Sequence, residues 1–154
     1  MQLLKRDHNA VKRLFTELNR TTGRAVKKRQ QLVQKIGSEL EAHATIEEEI
    51  FYPAMAELDR ARELLNEARE EHGHVKEMLA EIRGLAPDDA QLVGRMKELR
   101  QSVVHHATEE EREMFPLAEQ LGNDRLRELA GALEARKSAL MGAAMPGKRT
   151  RRAA

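Results

Sequence analysis

The chain has 154 residues, of which 34% are charged and 3% aromatic, with a formal net charge of +1 and no cysteine. That length suits one domain with a single core, and the lack of cysteine removes disulfides, thiolate metal sites and thiol nucleophiles. No run of about eighteen apolar residues occurs and the opening MQLLKRDHNA lacks a secretory apolar stretch, so a cytoplasmic protein without a membrane span is expected.

Glu, Arg, Lys, Ala and Leu dominate, as in long helices, and apolar residues recur at helical spacing almost throughout. The spacing predicts a first helix over about 2–20, with Leu4, Val11, Phe15 and Leu18 facing the core, broken by Thr21-Thr22-Gly23. A second runs over about 24–57 through Val33, Ile36, Leu40, Ile50 and Ala54, with Pro53 expected to kink or restart it. The third spans about 59–84 through Leu65, Ala68, Val75, Leu79 and Ile82. Pro87-Asp88-Asp89 then reads as a helix start capped by Asp side chains. A fourth helix continues to about 120 through Leu92, Met96, Leu99, Val103, Met114 and Leu117. A fifth, about 124–141, carries Leu126, Leu129, Leu133 and Leu140 on one face, suited to packing on the bundle or to a dimer contact. Short connections favour an all-α, up-down antiparallel four-helix bundle over 1–120, made of hairpins 2–57 and 59–120, with an additional C-terminal helix.

Residues 142–154 read as a basic, disordered tail. Lys148, Arg149, Arg151 and Arg152 lie there, leaving 23 basic against 26 acidic side chains in residues 1–147. The body is therefore mildly acidic, and nucleic acid is not an expected partner.

Each of the first four apolar stripes contains polar intruders that keep the helical period. They are His8 in the first, His43 and Glu47 in the second, His72 in the third, and His106 and Glu110 in the fourth. Burying two carboxylates and four imidazoles costs about several kcal/mol each unless they are paired or coordinated. The intruders also repeat. HATIEEEIFYP (43–53) returns as HATEEEREMFP (106–116) with six of eleven positions identical, and His8 and His72 open the related strings HNAVKRLFTEL and HGHVKEMLAEI. Each hairpin thus brings one His from its first helix and a His-x-x-x-Glu from its second, a quasi-symmetric set of four nitrogens and two carboxylates. Such a set suits iron, manganese or zinc, and six donors favour two cations over one. The reversed order, Glu-x-x-His, belongs to ferritin-type bundles. His74 and His105 fall off the stripes and are expected at the surface or behind the ligands. Glu48, Glu49 and Glu111 are expected simply to solvate their helices.

Asp7-His8, HATIEEEIFYP, EEHGHVK and HHATEEEREMFP together resemble the hemerythrin-like, or HHE cation-binding, domain family over about residues 2–120. The resemblance implies a non-haem di-iron centre with an oxo or hydroxo bridge, His8, His43, His72 and His106 as terminal ligands, and Glu47 and Glu110 bridging. It further implies a small-molecule ligand: dioxygen, nitric oxide or peroxide, bound for sensing, storage or redox protection. An enzyme that disproportionates peroxide or reduces nitric oxide is the alternative, with a metal-free interaction bundle behind it. Oxygen-carrying members have a further His four residues after the third-helix ligand, where this chain has Lys76, and space the last His and carboxylate by five rather than four. Redox or sensing chemistry is therefore expected over reversible carriage.

Overall fold

The computed structural model describes residues 1–143, and all of the regular elements there are helices. Helix α1 (Gln2–Asn19) and α2 (Val26–Ile46) form one hairpin. The chain continues from α2 through a π turn (Glu47–Phe51) into the short α3 (Tyr52–Met55). After a 3₁₀ turn (Asp59–Ala61), α4 (Arg62–Arg83) and α5 (Leu92–Glu109) form the second hairpin, and α5 passes through its own π turn (Glu110–Met114) into α6 (Phe115–Ala118). A 3₁₀ turn (Glu119–Leu121) leads to α7 (Asn123–Ala143). Gly122, the single residue at positive φ (85°) among those described, makes that last corner. Helix α1 packs on α2 and α5, and α4 packs on α5 and α2, so the four long helices close into a bundle.

Two expectations about boundaries are corrected. The fourth helix begins at Leu92, not at Pro87-Asp88-Asp89; Asp89 Oδ1 accepts the Gln91 amide at 2.7 Å and closes a turn before the helix instead. The tail expected over 142–154 yields its first two residues to α7, and the rest of it lies outside the described residues.

The π turns answer the question Pro53 raises. In a regular α-helix its ring would press on the carbonyl of Glu49, and its missing N–H would break a bond. The Tyr52 amide instead reaches back five residues to the Glu47 carbonyl, and the Phe115 amide, just before Pro116, does the same to Glu110. Each widened turn holds one extra residue, which rotates the following helix by about 100°. The core face shifts accordingly. Ile50 and Leu117 are only half-buried, whereas Phe51, Tyr52, Met55 and Ala118 are wholly enclosed.

Two apolar clusters stack along the bundle. One gathers Leu4, Ile46, Phe51, Met55, Leu65, Met114 and Phe115; the other gathers Phe15, Ile36, Leu79, Ile82, Met96 and Leu99. Helix α7 lies across α1, α2 and the first π turn. Its Leu stripe is spent within the chain: Leu129 and Leu133 are buried, and Leu126 and Leu140 pack against the first cluster. Ion pairs pin it down, Arg136 to Glu49 at 2.6 Å and Lys137 to both Asp7 at 2.6 Å and Glu39 at 3.1 Å. Replacing Leu133, 1% exposed, by Ala is expected to lower unfolding free energy by about 2–4 kcal/mol in urea titrations.

Candidate metal centre

The six polar residues of the four stripes meet in a belt between the two apolar clusters. His8, His43, His72 and His106 are each at most 6% exposed, Glu110 is 2% and Glu47 is 0%. Both glutamates are the first residues of the π turns. His8 and His43 face each other through Nε2 atoms 3.1 Å apart, and His72 and His106 do the same at 3.1 Å. Glu47 lies between the pairs, Oε1 2.9 Å from His43 Nε2 and Oε2 3.2 Å from His72 Nε2. Glu110 Oε2 stands 3.4 Å from His8 Nε2 and 3.8 Å from His106 Nε2.

These atoms form two groups that could each hold a cation: His8, His43, Glu47 and Glu110 in one, Glu47, His72 and His106 in the other. Two nitrogens at right angles, each about 2.1 Å from one ion, would lie about 3.0 Å apart, close to what both His pairs show. The carboxylates fit as well. Glu47 Oε1 and Glu110 Oε2 are buried without a hydrogen-bond donor, the close approach of His43 to Glu47 lacking hydrogen-bond direction. An orphaned buried carboxylate oxygen is expensive, and a cation held in the first group, which contains both glutamates, would satisfy both.

Every histidine turns its other nitrogen to a carboxylate. His43 Nδ1 lies 3.2 Å from Asp7, His106 Nδ1 2.7 Å from Glu71, His72 Nδ1 2.9 Å from Glu48, and His8 Nδ1 2.8 Å from Glu111. Such partners hold the Nδ1 proton, leaving Nε2 free to coordinate and fixing the ring plane. The pattern keeps the quasi-symmetry of the repeat. Asp7 and Glu71 each serve the other helix of their own hairpin, while Glu48 and Glu111 each cross to the opposite one. The expectation that Glu48, Glu49 and Glu111 merely solvate their helices is therefore wrong. The π turn and the neighbouring helix bring Glu48 and Glu111 against the imidazoles, and Glu49 pairs with Arg136 of α7. Lys76, which occupies the place of the extra histidine, instead grips Glu48 at 2.7 Å. Helix α7 joins the network too, since Lys137 holds the Asp7 that holds His43. His74 is exposed; His105, also exposed, sits 3.3 Å from Glu71, one contact behind His106.

Residues 1–118 match the family model of the hemerythrin HHE cation binding domain. The chain belongs to the hemerythrin HHE cation binding domain family. The fold of this HHE protein superposes on the crystal structure of an HHE cation binding domain-containing protein from Mycobacterium kansasii with a TM-score of 0.83, at 26% identity, covering 97% of this chain and 91% of that one. A DNA nickase from Nostoc sp. strain PCC 7120 is 28% identical over 137 residues, which are 88% of this chain but 38% of the nickase.

One side chain of this HHE bundle escaped the sequence reading. Tyr52 is fully buried, and its hydroxyl donates to Glu110 Oε1 at 3.0 Å while lying 3.1 Å from His72 Nε2 and 3.4 Å from Glu47 Oε2. Strict helical periodicity points it away from the core; the π turn rotates it inward. Its repeat mate is Phe115, whose ring stacks on His8 at 6.0 Å and carries no oxygen. The Pro that follows each of them was the usable signal.

The charges of the belt are strongly coupled. Burial opposes charge on His43, yet the Glu47 carboxylate and the Asp7 hydrogen bond override it and push the ring up to about 10. Burial also opposes His106, and Glu47 and Glu71 together raise it to about 10. Glu47 is held well below the usual carboxylate range by its histidines despite burial, whereas burial and the nearby Glu47 charge raise Glu110. Burial and both carboxylates raise the Tyr52 phenol, so it stays protonated. Because His43 and His106 are raised above an unfolded value of about 6.5, their stabilisation is complete below about pH 6.5 and is lost as pH climbs through about 10. Chelator-treated protein is accordingly expected to show a falling urea midpoint from pH 7 to 10.

Proposed function

We propose that this chain is a non-haem di-iron protein that binds or responds to dioxygen, nitric oxide or peroxide in sensing, storage or redox protection. The observation that carries the reading is the pair of His Nε2 groups sharing Glu47, set beneath a narrow cavity of about 40 Å³. Val11, Leu40, Val75, Leu79 and Val103 wall that cavity, and the four histidines form its floor. A single water needs about 10–15 Å³, so a diatomic molecule or peroxide fits there. Apolar walls favour an uncharged gas and keep bulk water from the donors.

In this reading His8, His43, Glu47 and Glu110 hold one iron, while Glu47, His72 and His106 hold the other. A bound iron pair supplies one-electron redox changes beside open positions for a small oxidant. The protein's share is orientation and proton placement. Four carboxylates fix the rings, and Tyr52 keeps its proton on the belt at Glu110. Tyr52 also makes the two positions unequal, since its hydroxyl adds a fourth polar group beside Glu47, His72 and His106 where Phe115 adds none to the other side. Turnover of peroxide or nitric oxide by the same centre is the competing reading. Nicking of DNA is the activity of a relative of which this chain spans 38%, and it forms no part of the proposal.

Metal analysis of protein from iron-replete cells is expected to find about two irons per chain, with the near-ultraviolet absorption of a bridged ferric pair. His43→Ala and His106→Ala should each lose iron and keep their helical circular dichroism. Metal-free wild type would refute the centre. Anaerobic mixing of the reduced protein with dioxygen, nitric oxide or peroxide then separates binding from turnover. In stepwise titration of chelated protein with ferrous iron, Tyr52→Phe is expected to weaken one step by about tenfold and leave the other unchanged.

A further inference from the structure

The far end of the bundle from Tyr52 and α7 carries an unusual concentration of unpaired positive charge. There the α1–α2 connection meets the start of α5, and Arg29, Lys97 and Arg100 line one cavity of about 70 Å³. Arg29 is only 8% exposed, and its Nε is buried with no hydrogen-bond partner. None of the three cations forms an ion pair with a carboxylate among the described residues. Their neighbours behave differently: Arg83 is paired with Glu41 at 2.6 Å and Arg95 with Glu98 at 3.1 Å.

A buried guanidinium without a counter-charge is a liability, because burial removes its hydration and nothing replaces it. The arginines that do pair with an acid, among them Arg6, Arg83, Arg95 and Arg136, are all far more exposed than Arg29. Here the charge is instead left open towards a cavity whose other wall is apolar, formed by Phe15, Leu18, Leu92 and Met96. At the same cavity stands Val93, which at 53% is the exposed large hydrophobic side chain of the described residues. Neither α2 nor α5 has a side-chain cap at its N-terminal end near the cavity, and the C-terminal turn of α1 (Leu18, Asn19) lines it from the other side.

We propose that this cavity binds a small organic anion, its carboxylate or phosphate held by Arg29 with Lys97 and Arg100 and its short apolar tail laid against Phe15, Leu92 and Met96. Arg29 is the anchor, since a guanidinium offers an anion's oxygens two parallel hydrogen bonds. Lys97 and Arg100 screen and steer from the rim. The size of the cavity limits the tail to a few carbons. The site stands apart from the histidine belt and does not rest on the iron reading.

The test is calorimetric titration of the purified 154-residue protein with hexanoate, phenyl phosphate, inorganic phosphate and, as a neutral control, hexanol. Saturable binding of hexanoate or phenyl phosphate is expected, weakened about tenfold or more in Arg29→Gln and several-fold in Arg100→Gln, with hexanol inert. Hexanoate binding alone assigns a carboxylate ligand, and phenyl phosphate alone a phosphate ester. Arg29→Met serves as the folding control. Removing an uncompensated buried charge should leave it as stable as wild type or more so, but deaf to the stabilising effect of the anion in thermal melts. Absence of saturable binding to wild type, equal binding by Arg29→Gln, or equal affinity for hexanol overturns the proposal.

Discussion

The geometry of this bundle depends on one repeated contact, a carboxylate oxygen against a histidine Nδ1. Four such contacts, from Asp7, Glu48, Glu71 and Glu111, turn four imidazoles so that their Nε2 atoms converge. Without them each ring would keep rotational freedom about χ2, and the nitrogen facing the centre would be undetermined. With them, a belt of polar groups that should weaken a helical core becomes a preorganised donor set. Two of the contacts lie within a hairpin and two cross between hairpins, so the same bonds that aim the Nε2 atoms also hold the halves in register. Lys76 on Glu48 and Lys137 on Asp7 extend that restraint to the surface and to α7.

The π turns are the second constraint, and they tie backbone chemistry to site chemistry. A proline at 53 or 116 cannot sit in a regular helix interior without a lost hydrogen bond and a steric clash. The chain absorbs it by widening the preceding turn, and each widened turn begins at an inward glutamate. The rotation that results carries Tyr52 and Phe115 over the histidines. One hydroxyl then distinguishes two halves that are otherwise close copies, an asymmetry that a duplicated hairpin would not produce by folding alone.

A buried belt of this kind sits awkwardly with the usual preference of cores for apolar side chains, and the fold isolates it accordingly. One apolar cluster seals it from the α7 side, where Phe115 stacks on His8; the other leaves a narrow apolar cavity above the histidines. The unpaired cations near the start of α5 are the second place where the molecule tolerates an electrostatic cost, and in both places the cost falls beside a cavity. Polar groups left short of partners next to open space are where ligands are expected.

Helical periodicity in one dimension determined the helices, their inward faces and the six polar residues on those faces, because a residue every three or four positions must share a face whatever the tertiary structure. His8, His43, Glu47, His72, His106 and Glu110 were legible for that reason, and the repeat showed that they came in two halves. Asp7, Glu48, Glu71 and Glu111 were not legible as partners, since each reaches a histidine on another helix and sequence spacing carries no information about which helices touch. Tyr52 was hidden differently: its place follows from a π turn, and a strict period of 3.6 rotates it the wrong way. The start of the fourth helix was misplaced because Asp89 caps a local turn as readily as a helix, a choice made by packing at Leu92. What the sequence set by itself was therefore which residues face inward, and what the tertiary structure alone decided was which of them meet.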